Sequence, residues 1–547
     1  MPLLLRNIAL DLSESEDVLP ARAARRLKLP TDAITFWGVV RRAVDARAGR
    51  VRLMYNVELS LDSVQLERRL ARRLHRADVA AVAPQPPLCL AIGTEPMPDR
   101  PIVIGFGPAG MFAALLLAEH GYRPIVLERG QPIRQRHVDV LKRFWRERDF
   151  DPESNLLFGE GGAGCYSDGK LRTRINDPRV TRVLQTLYQH GADPDILISS
   201  RPHVGSDRLP AICRRIRQRI ERLGGEVQFG RHVDGFELDD GQLVALRDGG
   251  GSILSLGSRS ADASGPAVPV LLGIGHSARD TFRSLVASGV TLSVKPFQVG
   301  VRIEHPQDLI DRWRYGPAAG HARLGAAEYQ VVAKQAAGPR GDVFGFCMCP
   351  GGQIVPCNES AGLVAVNGAS RSRRNGPAGN SGLVITIGPD DVGEDPLGVL
   401  SMLEDWERAA FDAAGGDYRV PVQRAGDFLA VRGSDGKMDL SYPLGGRWCD
   451  IREILPAYLT DALADALAVL DKRMPGYAGK DAVLAAPETR ASCPVRVVRD
   501  RATRTSVSAS NLYPIGEGAG YAGGIVSSAV DGLRTAEALI ARYAPQR

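Results

Sequence analysis

The sequence has no long apolar run and contains few lysines, cysteines and aromatic residues. No uninterrupted stretch approaches the roughly 20 apolar residues that a membrane-spanning helix needs. The apolar segment of the start, MPLLLRNIALDLSESED, is too short for a signal peptide. Eight cysteines in 547 residues, without a CxxC spacing, indicate neither a disulfide framework nor a zinc ribbon or thioredoxin-type site. The nine histidines show no HxH or HxxxH spacing, so we expect no metal, and we expect a cytoplasmic protein that does not bind membranes.

Arginine supplies almost all of the positive charge. Only 8 of the 69 basic residues are lysine, and the formal net charge is +6. An arginine-heavy and alanine-rich composition is typical of a GC-rich genome, so the basicity alone does not indicate a nucleic-acid partner. The run ERRLARRLHR, residues 67–76, is typical of a solvated helix face. We therefore expect a globular protein of two or three domains without a nucleic-acid partner.

Residues 1–95 are predicted to form a small α+β domain. The runs LLLRNIALDL, ITFWGVV and VRLMYNVEL predict strands, and DVLPARAARRLKL predicts a helix. Leu66, Leu70 and Leu74 recur every four residues and indicate the apolar face of a second helix. The linker that ends this domain is marked by Pro84, Pro86, Pro87, Pro96 and Pro98.

The stretch PIVIGFGPAGMFAALLLAEHGYRPIVLERG, residues 101–130, has the pattern of a dinucleotide-binding βαβ unit. Gly105, Gly107 and Gly110 form G-x-G-x-x-G, which permits a tight turn, close approach of a pyrophosphate, and packing of helix on strand. The following helix directs its positive end at the phosphates, and Glu128 ends the second strand, where a carboxylate can accept the ribose hydroxyls. The predicted cofactor-binding residues of this unit are Gly105, Gly107, Pro108, Ala109, Gly110, Glu128 and Arg129.

Two further glycine-rich segments favour FAD as the dinucleotide, because its flavin end must be met by distant parts of the chain. In NLYPIGEGAGYAGGIVSSAVDG, Glu517 can bind the ribityl region, and the helix start near Gly524 can direct N–H groups at the flavin pyrimidine. The stretch FGEGGAGCYSDGKL, residues 158–171, has the glycines that a backbone needs in order to lie along the pyrophosphate and the flat ring. The predicted contacts are Gly159, Gly161, Gly162, Gly164, Gly516, Glu517, Gly523, Gly524 and Ile525.

The chain resembles the uncharacterised bacterial FAD-dependent dehydrogenases of the glutathione-reductase-like flavoprotein superfamily. The resemblance is carried, in collinear order, by FGEGGAGCYSDGKLRTR, GIGHSARDTF, KPFQVGVRIEHPQ, FCMCPGGQIV, WCDIREILPA, ETRASCPVRV and YPIGEGAGYAGGIVSSAVDG. It implies an α/β protein with a Rossmann-like FAD-binding domain assembled from separated segments, and an inserted β-rich substrate or cap domain. The domains expected after the N-terminal one are residues 96–294 (FAD-binding, first part), 295–480 (substrate or cap) and 481–547 (FAD-binding, C-terminal part).

The sequence does not identify a catalytic residue, but it offers four candidates. Cys165 and Lys170 lie in the glycine loop, where a thiol beside the flavin is a charge-transfer donor or a nucleophile, although a small apolar filler is the favoured interpretation. Cys347 and Cys349 form C-x-C, which on a strand places both side chains on one face. A disulfide across so short a loop is strained, and two small buried residues are the favoured interpretation.

Two other features carry less specific signals. The G-x-G-x-x-A at residues 273–278 lacks a following strand with a terminal acid, so we interpret it as a strand returning to the FAD domain, with His276 and Arg279 near the cofactor's edge in structural roles. Lys295 and Arg302 begin the predicted substrate domain, where they bind an anionic substrate or, as we favour, are solvated or ion-paired.

The predicted function is that of a FAD-dependent oxidoreductase of dehydrogenase or reductase type. It transfers hydride or electrons between flavin and a small-molecule substrate, with NAD(P)H as a candidate transient reductant. A flavin-dependent monooxygenase or oxidase is one alternative, although residues 516–520 lack the proline of aromatic hydroxylases. A flavin-dependent RNA-modifying or RNA-binding protein is the other, although no aromatic pair is placed for base stacking.

Overall fold

The computed structural model describes residues 2–47, 49–73, 78–82, 90–256 and 267–546. Leu74 of the second predicted helix and the linker residues Pro84, Pro86 and Pro87 lie outside these ranges.

The first segment folds around a four-stranded antiparallel sheet, in the order Ile34–Asp45, Arg52–Leu61, Leu3–Asp11 and Val79–Ala81. The helices Leu19–Leu27 and Val64–Arg73 accompany it. Alternate residues of the strands Leu3–Asp11 and Arg52–Leu61 are buried, as expected for a sheet with one covered face. The strands and the first helix therefore occur where the sequence pattern predicts them.

A five-stranded parallel sheet carries the predicted nucleotide-binding unit. Its order is Leu512–Pro514, Val270–Leu272, Ile102–Ile104, Ile125–Glu128 and Glu226–Phe229. The strand before the G-x-G-x-x-A motif thus pairs with the first strand of the βαβ unit. Segments far apart in the sequence therefore build one sheet, and the carboxyl ends of its strands share one edge.

Two helices cross at backbone contact beside this sheet. The helix Pro108–Glu119 is buried over most of its length, and the helix Ile525–Arg542 packs against it. A Cβ on Gly532 would lie 2.1 Å from the carbonyl oxygen of Ala109, so only glycine permits this approach. The helices Arg179–Gln189 and Leu209–Arg222 add to the same core.

A seven-stranded sheet carries a further hydrophobic core. Its order is Val332–Ala333, Val343–Cys349, Ala378–Ile387, Phe297–Pro306, Val483–Glu488, Val420–Arg424 and Gly446–Trp448. The helices Pro396–Ala413 and Ala457–Arg473 contribute to the same core. The strand Val483–Glu488 pairs with Phe297–Pro306, so the predicted boundary at residue 480 falls before the last strand of this sheet. Long-range strand pairing, which local composition does not encode, decides which sheet this strand joins.

The remaining elements connect these layers. The short helices are Ile133–Val138 and Trp145–Glu147 on either side of the π-helical turn Asp139–Phe144, and Arg279–Ala287, Gln307–Tyr315, Pro389–Val392 and Ala425–Leu429. The 3-10 turns are Glu16–Val18, Thr31–Ala33, Ala163–Tyr166, Pro194–Leu197, Gly316–Ala318, Gly338–Arg340 and Ile451–Glu453.

The fold also contains smaller sheets. They consist of Val233–Asp239 with Gln242–Asp248 and Ile253–Ser255, Leu292–Val294 with Val495–Val497, Gly352–Pro356 with Val366–Ser370, and Glu95–Pro96 with Tyr543–Ala544. Within the described ranges, no helix combines the length and the apolarity needed to cross a bilayer.

Candidate cofactor and substrate site

A cavity lies where the carboxyl ends of the parallel strands face the seven-stranded sheet. Its walls come from the turn after Ile104, the glycine loop, the segment after Pro514, and the turn at residues 273–278. Phe346 and Cys347 of the seven-stranded sheet and Asn367 of a neighbouring strand close the opposite side. The three glycine-rich segments singled out in the sequence therefore meet around one space.

The first turn is built by glycines with different tasks. Gly105 has a positive φ of +92°, and a Cβ there would lie 2.4 Å from the carbonyl oxygen of Gly273. A Cβ on Gly110 would lie 2.0 Å from the carbonyl oxygen of Gly105, which accounts for the close packing of helix on strand. Gly107 lines the cavity and precedes the helix without a side-chain cap, so the positive end of the helix stays available to an anion.

Glu128 joins the first turn to the glycine loop. Its carboxylate accepts hydrogen bonds from the backbone N–H groups of Phe106 (2.7 Å), Gly130 (3.0 Å) and Gly159 (2.9 Å). The side chain is almost fully buried and also lines the cavity. Glu128 therefore fixes the backbone on both sides of the site, in addition to the ribose contact predicted for it.

Arg136 shapes the entry into the glycine loop. The guanidinium is fully buried and donates to the carbonyl oxygens of Asn155 (2.9 Å), Leu156 (2.9 Å) and Glu160 (2.7 Å). The Glu160 carboxylate in turn accepts from the backbone N–H of Ile133 at 2.9 Å. One side chain thus satisfies three carbonyls that an irregular loop would otherwise leave unpaired.

The loop approaches the first turn at backbone distance. Gly162 has a φ of +60°, and a Cβ on it would lie 2.9 Å from the Cα of Gly107. The glycines of this loop therefore permit contact between two backbones, and not only the approach to a ring that the sequence analysis predicts.

The third segment is held by Asp531. Its carboxylate accepts from the backbone N–H of Gly516 (2.8 Å) and from the Arg499 guanidinium (2.8 and 3.0 Å). Burial raises the pKa of Asp531, but Arg499, Arg504 and the Gly516 N–H more than offset this, so the pKa lies below its ordinary value. Gly516 is thereby kept in its left-handed turn at the edge of the cavity.

Most predicted cofactor contacts line the cavity, and a minority support it from behind. The lining residues are Gly105, Gly107, Pro108, Ala109, Glu128, Arg129, Gly162, Gly164, Glu517, Gly524 and Ile525. The predicted residues that do not line it are Gly110, Gly159, Gly161, Gly516 and Gly523. All but Gly523 are positions where a Cβ would meet a neighbouring atom within 3.0 Å, so they serve packing.

Cys165 does not face the cavity, which corrects its predicted place beside the flavin. Its side chain is buried against Gly161 and Cys213, and a Cβ on Gly161 would lie 2.8 Å from the Cys213 Sγ and 3.3 Å from the Cys165 Sγ. The interaction with Cys165 and burial both raise the pKa of Cys213. The small, buried thiol is the apolar filler of the favoured interpretation.

Lys170 and the C-x-C cysteines come together at the cavity wall. The Lys170 Nζ lies 3.8 Å from the Sγ atoms of both Cys347 and Cys349, and 3.3 Å from the Asp168 carboxylate. Lys170 and Cys347 line the cavity, whereas Cys349 is fully buried behind them. Burial lowers the pKa of Lys170, but the two thiols and Asp168 more than compensate, so the ammonium is retained.

Arg302 is fully buried and paired, as favoured from the sequence. It lies 3.2 Å from the Glu488 carboxylate and donates to the carbonyl oxygen of Cys347 at 3.0 Å. Lys295 donates to the carbonyl oxygen of Pro296. Arg279 likewise forms a buried ion pair with Glu407 at 2.8 Å.

The site contains buried polar atoms for which the described residues provide no hydrogen-bond partner. The Ser277 Oγ and the His276 Nε2 are buried at the cavity without a hydrogen-bond partner in the described part of the chain. The Nδ1 of His276 lies 3.6 Å from the Glu517 carboxylate, while burial lowers the pKa of the imidazole. Unmet buried donors and acceptors are expected where a polar ligand completes the site.

One group of side chains has ligand atoms close enough for a metal ion. Glu153, His232 and Asp280 place one ligand atom each within 4.8 Å of one another. The Arg129 guanidinium donates to both carboxylates at 2.9 Å and lies over the Phe158 ring. Arginine therefore already supplies the positive charge at this position.

Several lining residues lie outside the glycine-rich motifs. Phe346, Asn367, Arg490 and Ala491 line the cavity from the side of the seven-stranded sheet. Arg490 pairs with Glu359 at 2.6 Å and with Glu407 at 2.9 Å. Their only sequence signal is that Phe346, Arg490 and Ala491 fall in the segments FCMCPGGQIV and ETRASCPVRV that carry the resemblance.

Known protein families match two separate parts of the chain. The family described as "FAD-dependent protein, C-terminal domain-like" matches residues 296–491, which confirms FAD as the predicted cofactor. A "Domain of unknown function (DUF8436)" matches residues 3–60. An uncharacterized protein of Clostridium beijerinckii is 39% identical over 547 residues, covering 99% of both chains. The chain belongs to the family of this relative.

Two solved structures show a distant resemblance to this family member. The fructosyl amine:oxygen oxidoreductase (amadoriase I) of Aspergillus fumigatus is 13% identical with a TM-score of 0.32, covering 83% of this chain and 89% of that one. The glycine oxidase of Bacillus cereus is 10% identical with a TM-score of 0.31, covering 82% and 99%. Similarity at this level supports no inference about activity.

Proposed function

We propose that this protein is a FAD-dependent oxidoreductase of dehydrogenase or reductase type that acts on a small molecule. The observation that carries the proposal is the shared cavity, in which the βαβ turn, the glycine loop and the segment after Pro514 face a wall from a different sheet. When bound, FAD supplies the hydride or electron chemistry. The chain's own residues bind and orient it and enclose the substrate.

The cofactor's adenosine end is assigned to the turn at Gly107 and to Glu128. The uncapped start of the helix Pro108–Glu119 supports a pyrophosphate position, because its N–H groups and dipole favour an anion. The helix Ile525–Arg542 also begins without a side-chain cap, and a Cβ on Gly524 would meet no atom within 4 Å. The Gly524 N–H donates to the Glu517 carboxylate at 3.1 Å, and the open space beside Gly524 supports the predicted place of the flavin end. We assign the unpaired Ser277 hydroxyl and His276 Nε2 to polar contacts with the same ligand.

The architecture that fits this proposal is a glutathione-reductase-type FAD domain with an inserted substrate domain. The five parallel strands come from three separated segments, with residues 297–488 building the seven-stranded sheet between two of them. We place the substrate against Phe346, Cys347 and Asn367, which belong to the inserted part. The substrate domain then extends to about residue 491, where the family match ends.

The test is Gly107→Val in the full chain. Gly107 lines the cavity, and a Cβ there meets nothing closer than 3.9 Å, so the fold tolerates a small side chain while the pyrophosphate position does not. We expect a Tm close to that of the wild-type apoprotein and loss of bound FAD, measured by flavin absorbance after denaturation. The matched control is Gly433→Val, at an exposed loop position with nothing within 4 Å of the added Cβ.

Full FAD occupancy in Gly107→Val would contradict the assigned site. A wild-type protein that takes up no FAD on reconstitution would contradict the function. Anaerobic reduction followed by reoxidation with oxygen alone or with added acceptors separates a dehydrogenase or reductase from an oxidase.

A further inference from the structure

The strand that faces the cavity is irregular at its two cysteines. Phe346 pairs with Gly382 and Cys349 pairs with Asn380, so one strand fits an extra residue into this interval. Cys347 takes up the irregularity with a φ of +44°, a left-handed conformation that is costly for a residue with a side chain. Non-glycine residues in this region are retained where the surroundings over-determine them, and they cluster at functional sites.

The bulge brings two thiols to one cation. Both Sγ atoms lie 3.8 Å from the Lys170 Nζ, and Cys347 reaches the cavity while Cys349 lies behind it, fully buried. Arg302 donates to the carbonyl oxygen of Cys347 at 3.0 Å and lies 3.7 Å from the Cys349 Sγ. The irregular backbone is therefore held by a buried guanidinium, and the sulfur atoms by a partly exposed ammonium.

We propose that Cys347 and Cys349 are a dithiol–disulfide pair that exchanges with a low-molecular-weight disulfide bound in the cavity, with Cys347 as the attacking thiolate. The proposal rests on the proposed function in that it takes this cavity to be the redox site, and it names the substrate class. Lys170 is the positioning residue that stabilises the thiolate.

The exchange balances without any further reagent. The Cys347 thiolate attacks one sulfur of the substrate R–S–S–R, so a Cys347–S bond forms, the substrate S–S bond breaks and one R–S⁻ leaves. The Cys349 sulfur then attacks the Cys347 Sγ and releases the second R–S⁻. One leaving thiolate takes the proton of Cys349, and the other takes from water the proton that Cys347 had released on ionising. The substrate is reduced to two thiols, and the cysteine pair is oxidised to a disulfide.

The charges around the thiols support this assignment. The pKa of Cys347 is lowered to about 6 by the interaction with the Cys349 side chain and by the positive charges of Lys170 and Arg302. Burial acts in the opposite direction but is outweighed. The acidic groups that face the cluster are Asp168, which contacts Lys170, and Glu488, which contacts Arg302. The interaction with Cys347, and burial, raise the pKa of Cys349 well above its ordinary value, so the two sulfurs have separate roles. Cys347 is therefore the sulfur of the pair that ionises first, and more of it is thiolate at pH 7 than of an ordinary cysteine.

The test uses the purified full-length protein with its FAD, reduced and desalted anaerobically, and 4,4′-dithiodipyridine as the probe disulfide. All samples carry Cys89→Ser, because Cys89 lies outside the described residues. We expect a fast phase that releases two thiopyridones and leaves a bridged Cys347–Cys349 peptide in mass spectrometry. In Cys349→Ser we expect one fast thiopyridone and a stable mixed disulfide on Cys347. Cys449→Ser is the matched control, since Cys449 is also partly exposed and its pKa is raised by burial, and it should leave the fast phase unchanged.

Lys170 is tested through the pH profile of iodoacetamide alkylation of Cys347. Lys170→Met should move the midpoint upward from about 6 and slow alkylation at pH 7 about tenfold, while Lys170→Arg should restore most of the rate. A Cys347 that reacts no faster than Cys449 would overturn the inference, as would a wild-type sample without the bridged peptide. FAD content, measured on the same samples, reports separately on the proposed function, because these substitutions leave Gly107 and Glu128 intact.

Discussion

The Asp531 carboxylate accepts the backbone N–H of Gly516 at 2.8 Å and is clamped from the other side by Arg499. The third glycine-rich segment of the proposed FAD site therefore owes its position to a side chain on the helix that follows it.

Asp531→Asn should weaken both FAD binding and the fold. The amide retains one acceptor for the Gly516 N–H but leaves the buried Arg499 guanidinium without its counter-charge. We expect about a tenfold rise in the Kd for FAD and a loss of roughly 2–4 kcal/mol in the free energy of unfolding. Flavin fluorescence titration and denaturant unfolding measure the two quantities. Asp405→Asn, at an exposed position of another helix, serves as the control; an unchanged Kd in Asp531→Asn would contradict the role assigned to this contact.

Arg136→Met should disorder the entry to the glycine loop. The substitution keeps an unbranched apolar stem but leaves the carbonyl oxygens of Asn155, Leu156 and Glu160 without their shared donor. Several unpaired buried carbonyls cost roughly 3 kcal/mol or more, so we expect a markedly lower Tm and increased hydrogen exchange at residues 155–162. Arg134→Met changes an exposed arginine of the same helix and should leave both measurements near wild type. Protection of this loop in Arg136→Met equal to wild type would count against the prediction.

Glu304 should make the stability of the protein fall as the pH rises. Burial raises the pKa of this carboxyl from 4.5 to about 7, even though Ser441 donates to it through its backbone N–H and its hydroxyl. A pKa that is higher in the folded state means that the stabilising contribution is complete below pH 4.5 and is lost as the pH rises to about 7.

Glu304→Gln mimics the protonated acid and should remove the contribution of this carboxyl to the pH dependence of the free energy of unfolding. We expect the variant to exceed wild type by about 3 kcal/mol in the free energy of unfolding at pH 8, and the difference to vanish near pH 4. Urea unfolding at several pH values measures it, and a difference that is constant with pH would refute the assignment. Glu394→Gln, at an exposed position, is the control and should show no such trend.

Local patterns predict the nucleotide-binding unit well, because each of its features lies within thirty residues. Gly105, Gly107 and Gly110 are recognisable by spacing alone, and the burial of Ile102–Ile104 follows from its apolar run. The identity of FAD followed from three such segments read together, and the family match confirms it.

The choice among the cysteines could not be made in this way. Cys165 and Lys170 lie five residues apart in one loop, yet Cys165 packs against Cys213 while Lys170 contacts Cys347, 177 residues away. Which side chain faces a cavity depends on such distant contacts. The bulge at Cys347 adds to the difficulty, because it is defined only by pairing with the strand Ala378–Ile387. For the same reason the strand Val483–Glu488 could not be assigned to its sheet from composition.

The strand Leu512–Pro514 joins the parallel sheet beside Val270–Leu272, with the whole seven-stranded sheet encoded between them. During synthesis on the ribosome, the strands of the inserted sheet are therefore complete before the host sheet is finished. The host sheet must wait with an unpaired edge until residues beyond 512 emerge. We expect FAD to bind only after synthesis of the chain is complete. A chain that is terminated in this region should contain a folded insert and an incomplete parallel sheet that is prone to aggregate.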